Sequence, residues 1–167
     1  VKIHLLHSQR RKPNPNTMSK NYTDIIFDYD GTLVDSMGIN FEVMNETLTE
    51  CGLQAISKQD FADFKKIPLR QAMKKAKVPM RKLRKLAQVN RPKTAARAAE
   101  IEPFNGVLET LKALKDRGYR LHILSSAGED FVKKSLEHTG LENFFSETIT
   151  DVGLFSKPKQ IKKLIKK

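Results

Sequence analysis

The feature that most constrains this chain is an apolar run that ends abruptly in two acidic residues. Ile25, Ile26 and Phe27 precede Asp28 and Asp30, and a glycine follows directly. Continuous apolar runs of this kind are typical of strands buried on both faces of a parallel sheet. The sequence therefore predicts a buried strand that delivers two carboxylates to the sheet edge where ligands bind.

The two carboxylates indicate chemistry rather than packing. At about 4 Å and an effective dielectric constant of about 20, two like charges repel by roughly 4 kcal/mol. Carboxylates placed in this way need a cation or a proton between them, and Mg²⁺ takes carboxylate oxygen ligands. Asp28 and Asp30 are therefore candidate metal ligands and catalytic groups.

The length and composition place the chain in a simple class. Its 167 residues suit one domain, or a core with a modest insertion. The single Cys51 excludes an internal disulfide and fits a reducing, cytoplasmic location. No stretch is long and apolar enough to cross a bilayer, so a membrane partner is not expected. Residues 1–18 contain two prolines without an apolar period and are predicted to be a disordered extension.

The net charge of +12 is concentrated in one segment. Residues 65–97 hold 13 basic and no acidic residues, whereas the rest of the chain holds 18 basic and 19 acidic ones. Apolar residues at helical spacing across 37–100 predict an inserted helical domain. The basic segment could alternatively grip nucleic acid through its phosphates. That alternative is disfavoured because residues 65–97 contain no aromatic residue for base stacking.

The pattern changes to alternating helices and strands after residue 100. Residues 119–124 read as a second buried strand, followed by a helix over 129–138 and a short strand over 147–150. These segments predict an α/β, Rossmann-like parallel sheet core made of residues 19–36 and 101–167. Ser126 and Glu129 have the spacing of a helix capping box. His122 is expected to be a hydrogen-bonded core histidine.

Polar side chains follow the predicted strands at their carboxyl ends. Ser125 follows the second strand, and Lys157 lies in the loop after the third. The carboxyl ends of parallel strands meet at one edge, so these residues should converge with Asp28 and Asp30. A hydroxyl at a helix N-terminus and an ammonium group fit an anion, whereas the carboxylates fit a divalent cation. A phosphate ester with its metal ion would satisfy both.

These residues carry a resemblance to a known family. Residues 28–36, which read Asp-Tyr-Asp-Gly-Thr-Leu-Val-Asp-Ser, resemble the first motif of the haloacid dehalogenase-like hydrolase superfamily. Ser125 is similar to its second motif, and Lys157 with Pro158 to its third. The helical insertion resembles the cap domain of members like phosphoglycolate phosphatase and beta-phosphoglucomutase.

The resemblance implies a magnesium-dependent phosphatase that acts on a small phosphorylated metabolite. Asp28 would be the nucleophile that forms an aspartyl-phosphate, and Asp30 the general acid and base. Mg²⁺ would bind the Asp28 carboxylate and the Asp30 main-chain carbonyl. An acid at position 30 favours phosphate-ester hydrolysis over dehalogenation and leaves phosphomutase activity open. The implied substrate-binding residues are Ser125, Ser126, Lys157, Gly31 and Thr32.

The chain departs from the family pattern after Lys157, since only ten residues follow it. In the resembled family a further strand comes next and supplies acidic residues that complete the magnesium site. We therefore expect a core that is incomplete at its C-terminus, with Ile25, Ile26 and Phe27 exposed along an unpaired edge. Two alternatives to an active phosphatase stay open: a catalytically silent truncated remnant and a basic nucleic-acid-binding module.

Overall fold

The computed structural model describes residues 3–7, 22–153 and 160–161. It divides into a core unit, formed by Val1–Asp35 and Ala98–Lys167, and a helical unit, formed by Ser36–Arg97. No helix in these described ranges is long and apolar enough to cross a membrane. The strands and helices are β1 (Ile3–His7), β2 (Tyr22–Phe27), α1 (Met37–Glu50), α2 (Lys58–Phe64), α3 (Leu69–Lys75), α4 (Leu83–Ala96), α5 (Val107–Asp116), β3 (Arg120–Leu124), α6 (Glu129–Thr139) and β4 (Glu147–Ile149).

A four-stranded sheet in the order β1-β2-β3-β4 is the framework of the core unit. The strand pairs β2–β3 and β3–β4 are parallel, and helices α5 and α6 lie between the parallel strands in sequence. This arrangement confirms the predicted α/β, Rossmann-like class. Because β2 and β3 are parallel neighbours, their carboxyl ends lie at the same edge of the sheet.

Burial of the two central strands stabilises the core unit. Ile26, Leu121 and Ile123 have no measurable exposure, as the apolar runs predicted. Burying one such side chain contributes about 1.5–3 kcal/mol to folding. On one face of the sheet, Ile26 packs with Leu124 and Val152. This apolar centre holds the ends of β2 and β3 in a fixed relation.

The first strand corrects two predictions. Residues Ile3–His7 were predicted to belong to a disordered extension, but they form β1 and pair antiparallel with β2, from Ile3 opposite Phe27 to His7 opposite Tyr22. The predicted exposure of the β2 edge is also wrong, since Ile25, Ile26 and Phe27 are only 4%, 0% and 3% exposed. The physical reason is that an edge strand presents unpaired main-chain N–H and C=O groups, and the short segment Ile3–His7 pairs with them.

The helical unit confirms the helices predicted from the apolar periodicity. Helix α1 ends at Glu50 with Cys51 as its C-cap, and Gly52 follows with a φ of +65°, a left-handed conformation that glycine adopts without strain. Cys51 is buried. The buried residues of this unit's main cluster are Leu48, Cys51, Met73, Val78 and Leu86.

Ion pairs join helices α1 and α4 on the surface of the helical unit. Lys93 lies 2.9 Å from Glu50 and 3.4 Å from Glu46, and Arg97 lies 2.7 Å from Glu42. The glutamates are more than half exposed, so water screens these pairs and each contributes little to stability. Part of the basic segment therefore serves packing of the helical unit itself.

Candidate active site

The end of β2 is a tight turn that is fixed by main-chain hydrogen bonds. The carbonyl of Tyr29 accepts hydrogen bonds from the amides of Thr32 and Leu33, at 3.2 and 2.9 Å. The amide of Gly31 donates to the carbonyl of Val34 at 3.0 Å. Gly31 has a φ of +68°, which most other residues would adopt only with strain. Gly31 and Thr32 therefore shape the turn.

This turn presents the two aspartates at the carboxyl edge of the sheet. Asp28 and Asp30 are both half-buried, and the Asp28 carboxylate accepts a hydrogen bond from the Tyr29 amide at 3.1 Å. Carboxylate and carbonyl oxygens are ligands that Mg²⁺ prefers, so these residues fit part of a magnesium ligand set. Among the residues that the structure describes, no cluster of three or more His, Cys, Asp or Glu side chains could hold a metal ion.

Tyr29, between the two aspartates, anchors the turn and was not identified from the sequence. It is fully buried, its hydroxyl lies 2.6 Å from the Ser135 hydroxyl on α6, and its ring meets Phe131 edge-on. Burial, and secondarily the charge of Asp30, raises the pKa of Tyr29 to about 12, although the Ser135 hydrogen bond lowers it. The sequence did contain a signal for this role. An aromatic residue between two acidic ones indicates a side chain that is buried in an apolar pocket.

Ser125 lies at the end of β3 and is held firmly in the core. It is 1% exposed, and its amide donates to the carbonyl of Ile149 at 2.9 Å. Its hydroxyl oxygen accepts a hydrogen bond from the Ala127 amide at 3.0 Å. The loop after β3 therefore folds around the serine side chain.

The register of the parallel strands brings Ser125 to the aspartates' edge. Phe27 lies opposite Ile123, so Asp28 lies level with Leu124, the last residue of β3, and Ser125 follows one residue further along. Neighbouring strands are about 4.8 Å apart. The backbone thus places Asp28 and Ser125 in neighbouring turns, whereas Lys157 lies outside the described residues.

Ser126 does not form the predicted capping box. Helix α6 begins after Gly128, which makes no side-chain cap, and Ser126 is exposed. The Glu129 amide donates instead to the Asp151 carboxylate at 3.1 Å. The prediction was wrong because the N-cap is Gly128, two residues after Ser126, and an acid from a distant loop satisfies the first-turn amide.

A different polar cluster lies at the amino ends of β2 and β3. The Asp24 carboxylate accepts hydrogen bonds from Thr23 at 2.6 Å and from Arg120 at 2.8 and 2.9 Å, and lies 2.9 Å from Nε2 of His122. Burial alone would raise the pKa of Asp24, but these hydrogen bonds and the Arg120 charge together lower it. His122 is buried and hydrogen-bonded, which confirms its prediction as a core histidine.

Comparisons with known proteins identify the family. The model of the haloacid dehalogenase-like hydrolase family matches residues 25–167, so the chain belongs to this family. A phosphoglycolate phosphatase from Synechococcus elongatus is 30% identical over 142 residues, covering 84% of this chain and 66% of the relative. A pyrophosphatase PpaX from Halalkalibacterium halodurans is 26% identical and covers 72% of this chain and 56% of the relative. The chain thus spans somewhat less than two thirds of these relatives.

Solved structures share the fold. A predicted phosphatase from Clostridium acetobutylicum superposes with a TM-score of 0.70 at 24% identity, covering 84% of this chain and 68% of that one. CbbY from Rhodobacter sphaeroides, solved in complex with phosphate, gives a TM-score of 0.65 at 21% identity, covering 86% and 70%. At these identities, the similarity establishes the architecture alone.

Proposed function

We propose that this chain is a magnesium-dependent phosphatase that hydrolyses a small phosphorylated metabolite through an aspartyl-phosphate. The observation that carries the proposal is the turn after β2, which presents Asp28 and Asp30 beside the strand end that bears Ser125. Membership of the haloacid dehalogenase-like hydrolase family supports the same reading. The relatives named as phosphatases and a pyrophosphatase favour a phosphorylated substrate.

Asp28 and Asp30 divide the chemistry between them. A carboxylate oxygen of Asp28 attacks phosphorus and forms an acyl-phosphate bond while the bond to the leaving oxygen breaks. Asp30 gives its proton to that leaving oxygen and later takes one from the attacking water. The water oxygen then displaces Asp28, which releases inorganic phosphate and regenerates both carboxyl groups.

The remaining predicted residues bind the phosphoryl group. The Ser125 hydroxyl and the Lys157 ammonium would hold the phosphoryl oxygens as charge shifts during transfer. Gly31 and Thr32 keep the turn in place, and Ser126, which is exposed, would contact substrate from the loop after β3. Mg²⁺ would be held by the Asp28 carboxylate and the Asp30 carbonyl, where it would offset the negative charge around the phosphoryl group.

The test is hydrolysis of an aryl phosphate by the purified chain with Mg²⁺. We expect Asp28→Asn to abolish turnover without loss of folding. Asp116→Asn is the matched control, because Asp116 is an exposed residue at the end of α5. Turnover that survives Asp28→Asn would refute the assigned nucleophile.

A catalytically silent family member is a second candidate. It is favoured by the observation that Asp28 and Asp30 have no third acidic neighbour suitable for a metal within the described ranges. This candidate predicts a folded chain that binds phosphate weakly and gives no Mg²⁺-dependent turnover. A rate that rises with Mg²⁺ and disappears with Asp28→Asn would dismiss it.

A further inference from the structure

We propose that Asp151, in the loop after β4, is a positioning residue that holds the phosphate-binding loop of Ser125 in its working shape. This inference rests on the proposed function, because it assigns Ser125 to the phosphoryl group. Asp151 is neither part of the Asp28–Asp30 turn nor one of the residues that the sequence singled out. Its role follows from the contacts that join two loops at the carboxyl edge of the sheet.

The loops after β3 and β4 are connected by main-chain hydrogen bonds. The Ser125 amide donates to Ile149, and the Val152 amide donates back to the Ser125 carbonyl at 3.1 Å. The Asp151 amide donates to the carbonyl of Ala127 at 2.9 Å. These bonds surround the serine whose hydroxyl accepts from the Ala127 amide.

The Asp151 side chain adds a fourth link. Its carboxylate accepts the hydrogen bond from the Glu129 amide, one of the first-turn amides of α6. The N-cap of α6 is Gly128, which has no side chain that could accept this hydrogen bond. A negative charge at this end of a helix also interacts favourably with the helix dipole. Asp151 therefore connects the start of α6 to the loop after β4, and both segments adjoin the loop that contains Ser125.

The backbone of Asp151 indicates that its side chain matters. Asp151 has a φ of +54°, a left-handed conformation that glycine adopts more easily than aspartate. A glycine would satisfy the backbone but could not accept the Glu129 hydrogen bond. The carboxylate and the conformation can therefore be separated by substitution.

Three substitutions distinguish the carboxylate from the backbone. Asp151→Asn keeps an acceptor oxygen and tolerates a positive φ, Asp151→Gly keeps only the conformation, and Asp151→Ala keeps neither. We expect Asp151→Gly and Asp151→Ala to raise KM for an aryl phosphate about tenfold, with kcat reduced less than threefold. We expect Asp151→Asn to stay within about twofold of the unsubstituted chain. Asp116→Ala is the control for loss of an exposed acid.

A second readout does not depend on turnover. Hydrogen exchange at the Glu129 and Ala127 amides should accelerate about tenfold in Asp151→Gly but not in Asp151→Asn, and inorganic phosphate should bind about tenfold more weakly. Unchanged exchange and phosphate affinity in Asp151→Gly would overturn the proposal, and so would equal losses in Asp151→Asn and Asp151→Gly. Turnover that persists in Asp28→Asn would refute the proposed function instead, while amide exchange would still report on Asp151.

Discussion

Aspartates lie at both ends of strand β2, but their surroundings differ. At the amino end, Asp24 is held by Thr23, by Arg120 and by His122, and its pKa is lowered. At the carboxyl end, Asp28 and Asp30 lie one residue apart in a turn whose shape is set by main-chain bonds. The first carboxylate is paired with the Arg120 guanidinium and two further hydrogen-bonding side chains, whereas the second pair places two acidic residues side by side at the edge of the sheet.

This difference separates stability from chemistry. A buried carboxylate that accepts hydrogen bonds from charged donors supports the fold, because its removal leaves those donors unsatisfied. Two neighbouring carboxylates repel each other when both are charged, so under the proposed function their presence follows from the Mg²⁺ and the phosphoryl group that they would bind. We therefore expect changes at the carboxyl end to alter turnover and changes at the amino end to alter the free energy of unfolding.

The largest expected effect is at the carboxyl end. We expect Asp28→Asn to reduce kcat by at least about 10³-fold, because an amide oxygen is a poor nucleophile toward phosphorus. The free energy of unfolding should change by less than about 0.5 kcal/mol. Steady-state kinetics and denaturant unfolding on the same preparation check both halves. A stability loss as large as that of Asp24→Asn would break the comparison.

At the amino end, we expect Asp24→Asn to lower the free energy of unfolding by about 2 kcal/mol. Arg120 has a side chain that is 62% exposed and can turn to solvent, so the loss should fall below that of a fully buried ion pair. Turnover per folded molecule should stay within about threefold. Urea unfolding measures the first quantity; a turnover loss comparable to that of Asp28→Asn would contradict the division of roles.

The acid dependence of stability tests whether the charge of Asp24 stabilises the fold. The pKa of Asp24 is lowered in the folded chain below its ordinary value of 3.8, so its contribution is present above that pH. The contribution is lost as the pH falls through the folded pKa. We expect the stability difference between the unsubstituted chain and Asp24→Asn to shrink below about pH 4. A difference that is constant from pH 7 to pH 2.5 would show that Asp24 acts without its charge.

A smaller effect is expected for Tyr29→Phe. Ser135 keeps its hydrogen bond to the Phe131 carbonyl at 2.9 Å, so the loss at pH 7 should be about 1 kcal/mol. The pKa of Tyr29 is raised from 10.0 to about 12, so the stabilising effect of the neutral phenol is complete below pH 10 and is lost as pH rises toward 12. The unsubstituted chain should lose more stability than Tyr29→Phe over this range. If the free energies of unfolding of the two proteins fell in parallel with pH, the assigned role of the Tyr29 hydroxyl would be wrong.

The smallest effect is expected at Ser126. Since Ser126 is exposed and does not cap α6, Ser126→Ala should change the free energy of unfolding by less than about 0.5 kcal/mol. Loss of a true N-cap would cost about 1 kcal/mol. Thermal or denaturant unfolding decides between the two values, and a loss near the larger one would restore the capping box.

The sequence predicted the parts of the fold that are governed by local pattern. The apolar runs located β2 and β3, and Asp28, Gly31 and Ser125 were placed at strand ends by the logic of parallel sheets. Contacts between residues that are distant in sequence could not be predicted from local pattern. Strand β1 pairs with a strand that is distant in sequence, and its five residues are too few to show a strand or helix period.

Two further contacts show why the rest of the site could not be predicted. Asp151 caps α6 from 22 residues away, so no local capping rule applies to it. Tyr29 and Ser135 meet across 106 residues of sequence, and only the packing of α6 on the turn brings them together. Short-range patterns fix which residues are polar, whereas the fold decides which polar groups meet.

The most direct test of the central claim is to find the atom that receives the phosphoryl group. The chain is incubated with Mg²⁺ and an aryl phosphate, quenched with acid during turnover, and digested for mass spectrometry. We expect a phosphoryl group on the peptide that contains residues 25–36, located on Asp28 and absent from Asp28→Asn. Sustained turnover with that peptide unmodified, or with the label on another residue, would contradict it.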